Sequence, residues 1–419
     1  MTGPNLKSPL PIAFLPSYGE ARRGRHSANK RNMAYSTVIE ALSANDLGAA
    51  SKMLLAEIIE TTKDKNSWDC PHYTADKAVQ QGIKIDESRN EWFTYFGLEN
   101  LRDRYFLKNE AGNIVENPQT FYARVATGMA RGDAALAQEL YEIMSKGWYL
   151  PSTPTLMNIG TGKGLPIACF LNTVPDTLEG IFDTFRENAF LSKYGGGIGT
   201  DWSQLRGQNA PLKASGLKSS GVIPFLKIMD SETIAISRNS TRRGAAAAYL
   251  RIDHPDIEDF LELRKPGGDQ DRRCMNLNNG LVITDAFMQA VEAGKPYQLI
   301  DPHYKTVTRE LDALTMWRKI LSMRAETGEP YMIFIDTVNK ARPQHHKDLG
   351  LMVRQSNLCT EIVLPTDDTR TAVCCLGSLN LEKWDEYKDQ LESVTYACIK
   401  SLDNNLETFC EMADPVEFK

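Results

Sequence analysis

The residues best suited to carry chemistry lie in the segment 354–362, where a thiol stands between an amide and a carboxylate. Asn357, Cys359 and Glu361 are spaced by two, so an extended backbone would place their side chains on one face. A thiol in this setting could abstract and return hydrogen while the carboxylate handles a proton. The alternative is an alternating strand with a buried cysteine and a polar rim. The spacing alone favours that alternative.

The other cysteines form no recognisable metal or redox motif by sequence. The chain has eight, with no CxxC pair and no Cys/His cluster at zinc spacing: Cys70, Cys169, Cys274, Cys359, Cys374, Cys375, Cys398 and Cys410. We therefore expect a reduced, intracellular protein located in the cytoplasm, in which most of these cysteines are small core residues.

The composition is that of a globular protein with no general attraction for nucleic acid. Of 419 residues, 42% are hydrophobic and 24% charged, and the net charge is −6. No apolar run is long enough for a membrane span, and the first 20 residues lack a signal-peptide layout. A basic run between Arg22 and Arg31 favours a solvated tail, with a docking arm for a partner as the alternative.

Proline and glycine positions, together with changes in the apolar pattern, predict an N-terminal tail and two domains. Residues 1–45 are polar and interrupted by Pro and Gly, which favours a mobile N-terminal tail. Apolar residues at helical spacing predict helices over 44–62 and 121–146. Pro151 and Pro154 then break the pattern, so we expect a helical domain over 46–150.

Residues 151–419 show a different pattern, in which short apolar runs alternate with helical stretches. The runs cover 167–171, 221–225, 246–252, 280–283 and 361–364, and the helical stretches cover 176–193, 257–263, 286–293 and 313–327. This alternation predicts an α/β domain with parallel strands.

Several motifs occur in one order between residues 91 and 381. They are Phe96–Gly97, Tyr105–Lys108, Glu116–Gln119, Ser152–Asn158, Ala168–Phe170, Gly195–Gly199, Arg243–Ala245, the segment 354–362 and Cys374–Leu381. Together they resemble the ribonucleotide reductase large subunits, in which the segment similar to 354–362 is called the finger loop. The resemblance implies a helical N-terminal domain followed by the first half of a ten-stranded α/β barrel around a central finger loop.

The same resemblance assigns roles to individual residues. It implies that Cys359 is the transient thiyl radical that takes hydrogen from the ribose 3′ carbon. Glu361 would be the base at the 3′ hydroxyl, and Asn357 would hold the substrate hydroxyls. Cys169 and Cys374 would be the thiol pair that reduces the 2′ carbon and ends as a disulfide, which requires Cα atoms within about 7 Å. Cys375 is interpreted as a packing residue.

The resemblance also assigns positions that bind the substrate and a regulatory nucleotide. The resemblance implies that the substrate is bound by Thr153, Ala168, Cys169, Gly197, Asn357 and Glu361. The regulatory nucleotide, a dNTP or ATP, would be bound by Asp176, Thr177, Leu178, Arg206, Lys213 and Arg243. The helix over 176–193 would pair with that of a second copy in a homodimer. For Asp176 and Glu179 an ordinary capping box is the alternative.

The resemblance also implies partners. Only 45 residues follow Cys374 (419 − 374), so we expect a split subunit whose C-terminal half is a separate polypeptide. The chain itself would bind no metal or cofactor; the radical would come from a metal-containing small subunit of class I, with class II adenosylcobalamin as the alternative. A thioredoxin or glutaredoxin-type protein would be the reductant. The competing function is a non-catalytic, nucleotide-binding regulatory fragment, which would not need the five residues Cys169, Asn357, Cys359, Glu361 and Cys374.

Overall fold

The computed structural model describes residues 36–212, 216–237 and 244–413. Six α-helices form the first part of the described chain: α1 (Val38–Ser43), α2 (Leu47–Thr62), α3 (Lys77–Gly82), α4 (Tyr95–Asn100), α5 (Pro118–Ala130) and α6 (Ala134–Ser145). A π-helical turn, Leu101–Tyr105, follows α4. Because α1 begins at Val38, helical structure starts before the predicted domain boundary at residue 46.

The helix predicted over 121–146 is two helices. Asn117 caps α5 by accepting hydrogen bonds from the amides of Gln119 and Thr120. The helix ends where Arg131 enters the left-handed region at φ 48° and Gly132 follows at φ 88°. Asp133 then caps α6. Helical periodicity continues across this break, and for that reason the sequence pattern did not reveal it.

The second part of the chain alternates strands and helices. In order these are β1 (Tyr149–Pro151), α7 (Thr153–Asn158), β2 (Cys169–Thr173), α8 (Leu178–Lys193), β3 (Gly197–Asp201), α9 (Ile223–Ser237), β4 (Ala245–Arg251), α10 (Ile257–Leu261), β5 (Asn278–Ile283), α11 (Asp285–Ala293), β6 (Pro296–Ile300), β7 (Val307–Asp312), α12 (Ala313–Thr327), β8 (Tyr331–Phe334), α13 (Ile335–Lys340), α14 (Gln344–Asp348), β9 (Ala372–Cys374), β10 (Gly377–Leu379), α15 (Trp384–Tyr387) and α16 (Leu391–Met412).

One six-stranded sheet positions the candidate site. Its order is β8-β5-β4-β3-β2-β9. Neighbouring strands from β2 to β8 are parallel, whereas β9 runs antiparallel to β2. Every residue of β2 and β3 is buried, as expected for parallel strands covered on both faces. The sheet fits one half of an α/β barrel, which confirms the expected fold class.

Two of the predicted strands are wrong. The run 221–225 leads into α9, because Pro224 lies in the first turn, where proline is tolerated, and Val222, Leu226 and Met229 bury one helical face. The run 361–364 forms no strand. The amides of Glu361 and Ile362 donate to the Asn357 side chain instead of to a neighbouring strand.

The last long helix returns to the first domain. Val394, Ala397 and Cys398 of α16 belong to the same apolar core as α5 and α6. Asn404 Nδ2 donates to the Met129 carbonyl at 2.8 Å. The helical domain is therefore built from both ends of the described chain, beyond the predicted boundary at residue 150. No helix within the described ranges is both long and apolar enough to cross a membrane.

Candidate functional site

The finger loop lies directly on the parallel sheet. Gln355, Ser356 and Asn357 are fully buried, and Gln355 Nε2 donates to the Asn172 carbonyl of β2 at 2.9 Å. Gly199 of β3 permits this approach, because a Cβ there would stand 2.7 Å from Asn357 Cα. The missing side chain lets the loop backbone pack against the strand.

Asn357 connects the polar groups of the site. Its Oδ1 accepts hydrogen bonds from the amides of Glu361 and Ile362, both at 3.1 Å. Its Nδ2 donates to Glu361 Oε1 at 2.8 Å and to Cys169 Sγ at 3.3 Å. One amide side chain therefore holds the carboxylate in place and links it to a thiol on β2.

The extended backbone predicted for 357–361 is wrong. Thr360 has φ 67°, and its amide donates to the Asn357 carbonyl at 3.3 Å, which closes a turn. Asn357 and Glu361 meet through this turn and not through strand alternation. Cys359 is exposed and lines a separate cavity of about 540 Å³ with Arg324, Tyr331 and others, a lining that includes neither Asn357 nor Glu361.

Cys169 and Cys374 are brought together by the sheet. They are paired residues of β2 and β9, and both are buried and not joined in a disulfide. A hydrogen bond between the two thiols, with burial as the second cause, raises the pKa of Cys374 well above its usual range. Cys375, the next residue, packs instead against the main apolar core, and burial raises its pKa to about 12.

Two further candidate substrate-binding residues, Ala168 and Gly197, lie beside this thiol pair or the finger loop, whereas Thr153 contacts the helical domain. The Ala168 carbonyl accepts a hydrogen bond from the Gly197 amide at 3.0 Å, and Ala168 packs with Cys169 and Cys374. Gly197 faces the finger loop, because a Cβ there would lie 3.1 Å from Leu358 Cδ2. Thr153 begins α7, and its hydroxyl lies 3.2 Å from the Tyr105 hydroxyl.

Three of the candidate effector residues, Asp176, Thr177 and Leu178, lie at the start of α8. Thr177 is the N-cap of α8 and accepts from the Gly180 amide, so the alternative capping box of Asp176 and Glu179 is not formed. Asp176 is instead paired with Arg206 at 2.9 Å and with His303 Nδ1 at 2.7 Å. The hydrogen bond to Asp176 raises the pKa of Arg206.

An exposed leucine and a cavity also belong to this region. Leu178 is exposed. A cavity of about 360 Å³ borders Asp176, His303 and Arg354, and so extends towards the finger loop. Lys213 and Arg243 lie outside the described residues. His303 was missed by sequence reasoning because it is 97 positions from Arg206, and no local spacing connects the two.

Comparison with known proteins agrees with this architecture. The sequence model of the ribonucleotide reductase barrel domain matches residues 167–414, more than half of the chain. The chain belongs to the ribonucleotide reductase family. The model of that family's all-alpha domain matches residues 91–164, so the two matched domains follow each other as the helical and α/β parts do here.

Relatives of this ribonucleotide reductase chain are large subunits. It is 38% identical over 391 residues to the ribonucleoside-diphosphate reductase large subunit of Invertebrate iridescent virus 3, covering 80% of this chain and 59% of the relative. It is 42% identical over 294 residues to the putative ribonucleoside-diphosphate reductase large subunit of Frog virus 3, covering 70% of this chain and 50% of the relative. The chain spans about half the length of these relatives.

The fold of this chain is also similar to that of a solved structure. The Actinobacillus ureae class Id ribonucleotide reductase alpha subunit superposes with a TM-score of 0.61 at 27% identity, covering 81% of this chain and 56% of that one.

Proposed function

We propose that this chain carries the thiol chemistry by which ribonucleotides are reduced to deoxyribonucleotides. Cys359 acts as a thiyl radical that removes hydrogen from the ribose 3′ carbon and later returns it. Glu361 takes the proton of the 3′ hydroxyl, and Asn357 holds the substrate hydroxyls. Cys169 and Cys374 supply two electrons and two hydrogens, the 2′ hydroxyl leaves as water, and the two sulfurs end as a disulfide.

The observation that carries this proposal is the contact of Asn357 with both Glu361 and Cys169, while Cys169 faces Cys374. A base, an amide and two thiols thus form one connected group at the first residue of β2. The raised pKa of Cys374 keeps this thiol protonated at neutral pH. A protonated thiol is the form required to donate hydrogen to the 2′ position.

The radical is delivered to Cys359 from outside the chain. Cys359 is exposed on its cavity, so it is accessible to a partner. We propose a metal-containing small subunit as the radical source, consistent with the similarity to a class Id alpha subunit; adenosylcobalamin is the alternative. A thioredoxin or glutaredoxin-type protein then reduces the disulfide.

Reduction requires the remainder of the large subunit in addition to this region. The chain covers 59% and 50% of two relatives. Strands β8 and β9 each have only one neighbour in the described sheet, and an unpaired edge is a site for further strand pairing. The remaining half of the barrel is therefore proposed as a partner, or as a further segment, that completes the sheet.

A regulatory nucleotide and a second copy act at α8. The nucleotide ribose is held at Asp176, next to Thr177, Leu178 and Arg206. Lys213 and Arg243 are proposed for the same nucleotide on the resemblance alone. Apolar side chains are exposed along α8 and α9, namely Leu178, Phe182, Ile228 and Ile234, and such a patch supports a homodimer interface.

The test is reconstitution of nucleotide reduction. The chain is assayed for deoxyribonucleotide formation alone, then with the remaining half of a large subunit, a small subunit and a dithiol reductant. We expect product only in the complete mixture. If the complete mixture binds effector nucleotide but forms no product, the chain is a regulatory module and the proposed function is wrong.

A further inference from the structure

Tyr249 supports the finger loop from the sheet below it. This fully buried residue of β4 donates its hydroxyl proton to the Asn357 carbonyl at 2.6 Å. The same hydroxyl lies 3.2 Å from Thr360 Oγ1. Because the phenol has one proton, which goes to the carbonyl, the Thr360 hydroxyl is the donor in the second contact. One side chain thus contacts the loop on both sides of Cys359.

The sheet is adapted to hold this ring. Tyr249 pairs with Gly280 of β5, and a Cβ at Gly280 would stand 2.6 Å from Tyr249 Cδ1. The glycine therefore leaves the space that the ring occupies. Burial raises the pKa of Tyr249, so the hydroxyl stays protonated and remains a donor throughout the neutral range.

The loop needs an external support of this kind. Thr360 adopts φ 67°, a left-handed conformation that a β-branched residue rarely takes. Such backbone persists where surrounding contacts hold it. The contacts from Tyr249 fall on Asn357 and Thr360, the two ends of the hydrogen bond that closes the turn around Leu358 and Cys359.

We propose that Tyr249 is a positioning residue that fixes the turn carrying Cys359, and thereby the direction from which its sulfur meets the ribose. The proposal rests on the proposed function for its catalytic consequence, but the positioning itself is independent of it. Tyr249 touches no substrate group; it acts through the Asn357 carbonyl and the Thr360 hydroxyl.

Hydrogen exchange of the full chain tests the positioning without any activity. In Tyr249→Phe the Asn357 carbonyl loses its shorter hydrogen bond and keeps only the one from the Thr360 amide, so the amides of Thr360, Glu361 and Ile362 should exchange about two- to tenfold faster, the range for one lost hydrogen bond. Strand β4 should stay protected. The matched control is Tyr141→Phe, which removes another fully buried hydroxyl with two hydrogen bonds from the helical domain and should leave the loop unchanged.

An unchanged loop in Tyr249→Phe, or a rise spread equally over all strands, overturns the proposal. If Tyr249→Phe does not fold, the comparison is Thr360→Ala, which should loosen the loop, against Thr360→Ser, which keeps the hydroxyl and should not. Equal exchange in these two variants counts against the proposal.

Steady-state kinetics of the reconstituted enzyme provide a second test of the role of Tyr249. Tyr249→Phe should lower kcat about tenfold, because a misdirected sulfur meets the ribose less often in the reactive geometry; Tyr141→Phe should leave kcat unchanged. A rise in KM with unchanged kcat contradicts the proposed role. If even the wild-type mixture forms no product, the proposed function fails, and the exchange result still decides whether Tyr249 positions the loop.

Discussion

Cys169 and Cys374 face each other across the antiparallel pair of β2 and β9, although 205 positions separate them in the chain (374 − 169). Paired residues of antiparallel strands have Cα atoms about 4.5–5.5 Å apart. That separation lies within the range that a disulfide spans. The two thiols can therefore be oxidised to a disulfide without rearrangement of the sheet.

The first prediction follows from this pairing. Mild oxidation of the chain, or turnover of the reconstituted enzyme without reductant, should give one Cys169–Cys374 disulfide. Cys375→Ser should leave its yield unchanged, because Cys375 packs against the main apolar core and not with Cys169 and Cys374. Peptide mass spectrometry under non-reducing conditions measures the linkage. A Cys374–Cys375 linkage, or two free thiols after turnover, would contradict the assignment.

Local patterns predicted much of the fold. The predicted helix over 313–327 coincides with α12, and the apolar run at 246–252 lies within one residue of β4. The run at 221–225 failed because five apolar residues next to a proline do not distinguish a strand from the start of a helix. The break at Arg131 was missed because the apolar residues keep helical spacing on both sides of it, although Gly132 and the N-cap residue Asp133 mark the boundary.

The site was predictable only in part, and for a physical reason. Its residue types came from motifs, but its geometry depends on contacts between distant segments. Tyr249 reaches the Asn357 carbonyl across 108 positions, and His303 reaches Asp176 from a turn after β6. The extended backbone expected for 357–361 was wrong because the Asn357 side-chain oxygen accepts hydrogen bonds from the backbone amides of Glu361 and Ile362. In a strand these amides would bond to a neighbouring strand.

The second prediction concerns stability at alkaline pH. Burial raises the pKa of Cys274 to about 12 from an ordinary value of 9.0. Between these values the folded state keeps a proton that the unfolded state has lost. The free energy of unfolding therefore falls as pH rises above 9, by up to about 1.4 kcal/mol per pH unit from this group.

Cys274→Ala removes this contribution. The variant should be less stable than the wild type at pH 8, because it leaves a small cavity in the core, and the difference should narrow between pH 9 and 11. Urea unfolding at a series of pH values measures both curves. Parallel curves would show that Cys274 does not keep its proton in the folded protein.

The third prediction concerns a buried ion pair between α5 and the segment before it, whose arginine also bonds to the end of α7. Arg124 and Glu116 are both fully buried, with Nε–Oε1 at 2.8 Å, and Arg124 Nη1 donates to the Ile159 carbonyl at 2.8 Å. Arg124→Met should lower the free energy of unfolding by about 3–5 kcal/mol, since it leaves an uncompensated buried carboxylate.

The double variant Arg124→Met, Glu116→Gln is the control for this ion pair. Removing the charge of Glu116 keeps an acceptor for the Leu107 amide and should recover part of the loss. Chemical denaturation of the three proteins measures the effect. A double variant no more stable than Arg124→Met would show that the carboxylate charge is not the source of the loss.

The last prediction separates the radical thiol from the base. Cys359→Ser is nearly isosteric, and its side chain is exposed, so folding and nucleotide binding should be retained. Product formation by the reconstituted enzyme should nevertheless be abolished, because the O–H bond of serine is much harder to break homolytically than the S–H bond of cysteine. Glu361→Gln should be less severe, since losing a general base costs about 10²–10⁴-fold.

The order of these two effects is the test, with deoxyribonucleotide formation as the measurement. Glutamine at 361 presents an oxygen to Asn357 Nδ2 as Glu361 does, so its loss of rate reports the missing base and not a displaced loop. Hydrogen exchange over 355–362 checks that the loop is intact in both variants. If Cys359→Ser with an intact loop retained a few per cent of wild-type activity, the sulfur radical would not be required. Cys359 would then be an ordinary surface cysteine at the edge of a cavity.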